Sequence, residues 1–246
     1  MQILHTPSGV RFGIVESKQP SPAPTLFVFA TRLEESLEDD SFYKAGRILS
    51  ESGFLCVSLD MPCHGMDVRE GEQPDRLEGW RTRLEADENI ISDFTSKASA
   101  VLDYLIEAGY TDPQQVMACG TSRGGFIALH FAAADARIKA VAAFAPVTNL
   151  LRLREFCGTE QHATIDSLSL INHAEKLATR AIWLCIGNND DRVSTDDAIA
   201  FTRRVVQDSS APEKIVPVEL HVLATEGHGI HATAHEEAAA WLLRQV

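Results

Sequence analysis

Three side chains in this sequence have the types and spacing to carry acyl-transfer chemistry together. Ser122 stands in Gly120-Thr121-Ser122-Arg123-Gly124-Gly125-Phe126, between a short apolar run and a stretch rich in Ala, Ile, Leu and Phe. A Gly-x-Ser-x-Gly turn between a strand and a helix pushes the serine oxygen out at the carboxyl edge of a sheet, because small residues on either side let the backbone fold back sharply. The backbone N–H of Arg123 then points at whatever the serine attacks. The competing reading is a glycine-rich turn in which Ser122 only caps a helix. A serine hydroxyl is a weak nucleophile at neutral pH and needs a base, usually histidine, held by a third group. Two later loops offer these: Gly187-Asn188-Asn189-Asp190-Asp191-Arg192-Val193 and Thr225-Glu226-Gly227-His228-Gly229. Adjacent side chains point in different directions, so either Asp190 or Asp191 orients His228. The residue types do not choose between them, and the other is a surface carboxylate paired with Arg192.

Other constellations compete. His228, His231 and His235 are spaced three and four apart, but no Glu stands between the last pair as in H-E-x-x-H and no cysteine is near, so no metal is expected. Cys63 beside His64 suggests a thiol nucleophile, yet sequence neighbours rarely adopt the geometry this needs, and a structural loop is preferred. Trp80 and Arg81, with Arg83, are candidates to line a pocket and bind an anionic substrate group. The alternative is a solvated helix face with one half-buried tryptophan.

These residues need elements to position them. Residues 2–6 and 10–16 read as an antiparallel hairpin, followed by a proline-rich loop over 18–24. Largely apolar runs at 25–30, 54–59, 115–119, 138–144 and 181–186 suit buried strands, and 217–223 reads as the last strand. Between them, helices are expected over 41–52, 89–108, 122–134, 168–178, from Ser194 or Thr195 to 208, and 232–244, with an acidic loop at 34–40. Residues 66–88 carry twelve charged side chains in 23, which reads as a surface loop with one short helix and a possible partial lid. Alternating strands and helices favour a mostly parallel sheet covered on both faces, in one domain spanning 1–246. In such sheets ligands bind at the carboxyl ends of the strands, where all three loops fall.

The net charge of −13 argues against a nucleic-acid partner and against docking on an anionic membrane. No apolar run approaches membrane-spanning length, and the first residues lack the pattern of a secretory signal. Five cysteines without a CxxC pair suit reduced thiols, so a cytoplasmic location is expected.

The chain resembles an α/β-hydrolase, nearest in style to the prolyl oligopeptidase and dienelactone hydrolase branches. The resemblance is carried by Gly120–Phe126, Gly187–Val193, Gly227-His228-Gly229 and Asp60-Met61-Pro62-Cys63-His64-Gly65, and covers roughly residues 25 to 246. Ser122, an aspartate and His228 fall in the order usual for that fold. The family's Gly-x-x-Asp-x-x-Val pattern implies Asp190 as the orienting acid. The chain departs from the family at Cys63, usually Gly, and at Ala30-Thr31-Arg32-Leu33, where His-Gly-Gly or similar is usual. The second oxyanion donor is then expected from the backbone N–H of Thr31 or Arg32, beside that of Arg123. The resemblance implies a serine hydrolase acting through an acyl-enzyme without cofactor. Only 36 residues separate strands 138–144 and 181–186, too few for a large cap domain, and no β-propeller is seen. Small acyl substrates, esters before peptides, are therefore expected; thioesterase, deacetylase and acyltransferase activities stay open. The alternative from another class is a hydrolase-fold binding protein or pseudoenzyme.

Overall fold

The computed structural model describes residues 1–16, 21–209 and 217–246. The expected proline-rich loop falls partly on residues 17–20, outside the described residues. The chain opens with β1 (Gln2–His5) and β2 (Arg11–Val15), then β3 (Ala23–Phe29), α1 (Leu33–Glu38), α2 (Asp40–Glu51) and β4 (Leu55–Ser58). Next come α3 (Leu77–Glu85), α4 (Ile90–Glu107), β5 (Thr111–Thr121), α5 (Arg123–Ala134) and β6 (Ile138–Phe144). After short helices α6 (Ala163–Ser167) and α7 (Ala174–Leu177), the chain ends with β7 (Ala181–Gly187), α8 (Thr195–Gln207), β8 (Val218–Leu223) and α9 (Ala234–Leu243). The eight strands among the described residues form one sheet in the order β1-β2-β4-β3-β5-β6-β7-β8. The β1/β2 and β2/β4 pairs are antiparallel, and all others are parallel.

The central strands of the sheet are buried on both faces, and the period-2 alternation of β3 shows how. Phe27 and Phe29 face one side, where they meet Phe131 and Phe94 edge-on at centroid distances of 5.2 and 5.3 Å. Leu26 and Val28 face the other, in a cluster with Tyr43 and Leu49 of α2 and Trp241 of α9. Each such side chain contributes roughly 1.5–3 kcal/mol by leaving water, which is why continuous apolar runs mark these strands. After β3 the chain lays down β4 on one side and, later, β5 on the other. This reversal opens a crevice at the carboxyl ends of β3 and β5, and the Ser122 turn and the Ala30–Leu33 loop both emerge there.

Two expectations about the elements fail. Residues 34–40 are not an acidic loop, because Leu33–Glu38 is helical, with Leu33, Ser36 and Leu37 buried. The i, i+4 pair of leucines packs inward while the glutamates cover the turn. The 168–178 helix is also shorter than expected, a 3₁₀ turn over Leu170–His173 running into α7.

Candidate active site

Ser122 sits between β5 and α5 at φ 53° and ψ −115°, a conformation that is strained for any residue with a side chain. Its N–H donates to Phe144 O of β6 at 2.8 Å, and its carbonyl accepts from Phe126 N–H at 3.2 Å and Val147 N–H at 3.1 Å. These bonds hold the strained turn. Two glycines make it possible. A Cβ on Gly120 would lie 2.3 Å from the backbone of Gly124, and one on Gly124 would lie 1.9 Å from Phe29 O. Helix α5 therefore starts directly against the end of β3.

His228 Nε2 lies 3.0 Å from Ser122 Oγ, and His228 Nδ1 lies 2.8 Å from Asp190 Oδ2. With Asp190 ionised, Nδ1 carries the proton and donates it, so Nε2 accepts from the serine hydroxyl. The Asp190 side chain is fully buried, while 29% of the His228 side chain stays exposed. The other Asp190 oxygen, Oδ1, accepts from Arg192 N–H at 3.0 Å and Val193 N–H at 3.2 Å, which fixes the carboxylate plane. Asp191 is exposed. Arg192 does not pair with it; its guanidinium grips Glu155 in a fork at 2.7 and 2.8 Å. Burial pushes the Glu155 carboxyl up, but the fork outweighs that and holds it below its usual range.

The loop after β3 supplies backbone N–H groups beside the serine turn. Those of Ala30 and Thr31 both donate to Ser36 Oγ at 3.2 Å, and that of Leu33 donates to Asp60 Oδ1 at 2.9 Å. The Thr31 N–H is thereby engaged, contrary to its reading as an open donor. Arg32 N–H has no acceptor among the described residues. Arg123 N–H, the first of α5, is one of the donors that every helix start leaves unbonded. Ser36 escaped the sequence reading because α1 did. Its signal was the buried spacing of Leu33, Ser36 and Leu37.

The remaining candidates lie elsewhere. Trp80 is wholly buried, its Nε1–H bonded to Pro62 O at 2.6 Å and its ring beside Phe126, so it presents no surface to a substrate. Arg81 pairs with Glu85 and reaches Glu155 O at 3.2 Å. Arg83 is buried between Asp67 and Glu72, fastening residues 66–88 to themselves. Burial pushes the Cys63 thiol up to about 12, far from the range of a reactive thiolate. His64 is buried with Nδ1 2.7 Å from Pro62 O, and burial pushes it down to about 4. Of the trailing histidines, His231 bonds Thr233 Oγ1 and His235 is buried against Phe144. Among the described residues no group of three or more His, Cys, Asp or Glu is arranged to hold a metal ion.

Residues 80–246, more than half of the chain, match the prolyl oligopeptidase family. The chain belongs to the prolyl oligopeptidase family. No curated protein matches it. Among solved structures, this family member resembles dipeptidyl peptidase 4 of Porphyromonas gingivalis at 19% identity and a TM-score of 0.74, covering 100% of this chain and 35% of that one. It is similar to a puromycin-hydrolyzing peptidase of Mycobacterium tuberculosis at 16% identity and a TM-score of 0.72, covering 99% and 38%. It is also similar to a cold-adapted esterase from an Arctic intertidal metagenomic library at 15% identity and a TM-score of 0.69, covering 100% and 92%. The chain thus spans little more than a third of the two peptidases. At these identities the likeness shows the α/β-hydrolase fold. No helix among the described residues is long and apolar enough to cross a membrane.

Proposed function

We propose that this protein cleaves small esters or related acyl compounds, with Ser122 as nucleophile, His228 as base and Asp190 as the group that orients the base. The observation that carries the reading is the continuous relay Ser122 Oγ, His228 Nε2, His228 Nδ1, Asp190 Oδ2, with links of 3.0 and 2.8 Å. His228 takes the serine proton as Oγ attacks the carbonyl carbon, then gives it to the leaving group. Asp190 holds the imidazole tautomer and stabilises the cation that forms. Arg123 N–H and Arg32 N–H are the donors for the developing oxyanion. Water, activated by the same histidine, then releases the acid from the acyl-enzyme.

The short connection between β6 and β7 supports small substrates, since the described residues there form only short helices and turns rather than a cap. The esterase neighbour of similar length favours an ester. Family membership favours a second reading, a peptidase, and a panel of p-nitrophenyl esters, thioesters and aminoacyl anilides decides between them. A fluorophosphonate probe tests the reading itself. Wild type should become labelled and Ser122→Ala should not, with ester turnover falling by several orders of magnitude. Wild type that neither reacts with the probe nor cleaves short esters leaves a hydrolase-fold binding protein.

A further inference from the structure

The residue after the serine contributes more than its backbone N–H. The Arg123 side chain is partly buried, and its Nε donates to Ala30 O at 3.3 Å, in the loop after β3. Its Nη1 donates to Asp75 O at 3.1 Å, in the segment after β4. Asp75 is held in a left-handed conformation at φ 60°, with its own N–H bonded to Cys63 O at 3.2 Å. One guanidinium therefore ties the serine turn to two segments that leave different strand ends. Two buried acceptors, His64 Nε2 and Asp75 Oδ1, have no donor among the described residues, and both lie within the electrostatic reach of Arg123. A guanidinium stays charged in such a setting where an ammonium would tend to lose its proton.

This tie matters because the two proposed oxyanion donors sit on different segments. The strand pairing between β3 and β5 ends at Phe29 opposite Gly120. Beyond it, the 30–33 loop is fastened through Ser36 to α1, and through Thr31 O and Leu33 N–H to Met61 and Asp60. None of those bonds is made to the elbow or to α5. The hydrogen bond that draws it toward α5 comes from Arg123 Nε.

We propose that the Arg123 side chain is a positioning residue that sets the separation of the Arg123 and Arg32 N–H groups by clamping the Ala30 and Asp75 carbonyls against the elbow. This rests on the Ser122 reading above. The test uses Arg123→Met, which keeps bulk without donors, and Arg123→Lys, which keeps a donor but reaches one carbonyl at a time. Rates on a short p-nitrophenyl ester are normalised to fluorophosphonate-titratable Ser122, so loss of folded protein does not count. The expected result for Arg123→Met is a kcat lower by about 100-fold with KM within about threefold, the pattern of an interaction made only in the transition state. A trifluoromethyl ketone, which binds as a tetrahedral adduct, should lose affinity by the same factor as kcat/KM. Arg123→Lys should recover about tenfold of the lost kcat.

A purely structural role would lower the melting temperature and leave the normalised kcat and the ketone affinity untouched. Normalised kcat within threefold of wild type in Arg123→Met overturns the proposal; should that variant not fold, the same result in Arg123→Lys does so. Labelled wild type with silent Ser122→Ala and a fully active Arg123 variant sinks this proposal alone. Absence of any Ser122-dependent reaction in wild type sinks it together with the reading on which it rests.

Discussion

At the scale of single residues, the two neighbouring aspartates show how backbone direction separates identical side chains. Asp190 points inward, with one oxygen on His228 and the other on the N–H groups of Arg192 and Val193. Asp191 points to solvent. Asp190→Asn preserves the shape but turns an amide toward Nδ1 or presents only its carbonyl, so the imidazole loses the fixed tautomer that leaves Nε2 free to accept. The expected drop in kcat is about 10⁴-fold, with little loss of stability. Asp191→Asn should remain within about twofold of wild type. Both are read from steady-state hydrolysis of one short ester, and the reverse ranking would make Asp191 the orienting acid. The residue types predicted a serine, an aspartate and a histidine at three strand ends. They could not choose the aspartate, because that depends on which way a buried loop turns.

At the scale of elements, the serine turn is a joint between β5, α5 and the end of β3, and Gly124 is its tightest point. A methyl group there would lie 1.9 Å from Phe29 O, which is backbone and cannot rotate away. Gly124→Ala must push α5 off β3 and should destabilise the fold by about 2–4 kcal/mol. Urea unfolding at neutral pH checks this, and a midpoint equal to that of wild type would show that the joint has slack. Strand β3 was legible because Leu26–Phe29 is buried on both faces, so no polar position interrupts that run. Helix α1 was not, because Glu34, Glu35 and Glu38 outweigh Leu33 and Leu37 in any reading by charge. Trp80 misled for a related reason. It lies in a charged segment, but its own face of α3 turns inward onto Pro62 and Phe126. The contacts that fasten the site across elements, Ser36 with the 30–33 loop and Arg123 with Ala30 and Asp75, join residues whose proximity no local pattern announces.

At the scale of the molecule, buried neutral histidines should make the fold sensitive to mild acid. His130 is packed between Phe126 and His173 at centroid distances of 4.3 and 4.7 Å, with Nε2 3.0 Å from Leu168 O. Burial pushes it down to about 3, and His64 down to about 4. In the unfolded chain both titrate near 6.5. Between that value and their folded pKa values the unfolded state binds more protons, so stability rises with pH. The contribution is complete above about pH 6.5 and declines as pH falls, down to about 4 for His64 and about 3 for His130. At pH 5 each histidine should cost about 2 kcal/mol relative to pH 7. Paired carboxylates such as Glu155 and Asp135 have pKa values held below their usual range, so their losses begin at lower pH and leave this window to the histidines. The net charge of −13 works in the opposite direction, since acid relieves self-repulsion. That effect is screened at physiological salt, where the Debye length is about 8 Å, whereas the burial penalty is not. Urea unfolding in 0.15 M salt should therefore show wild type losing several kcal/mol between pH 7 and pH 5. His130→Gln, which can still donate to Leu168 O but cannot be protonated, should lose about 2 kcal/mol less over the same interval. Equal losses in the two proteins would mean that His130 is protonated in the folded state at pH 5 or makes no difference to the acid response.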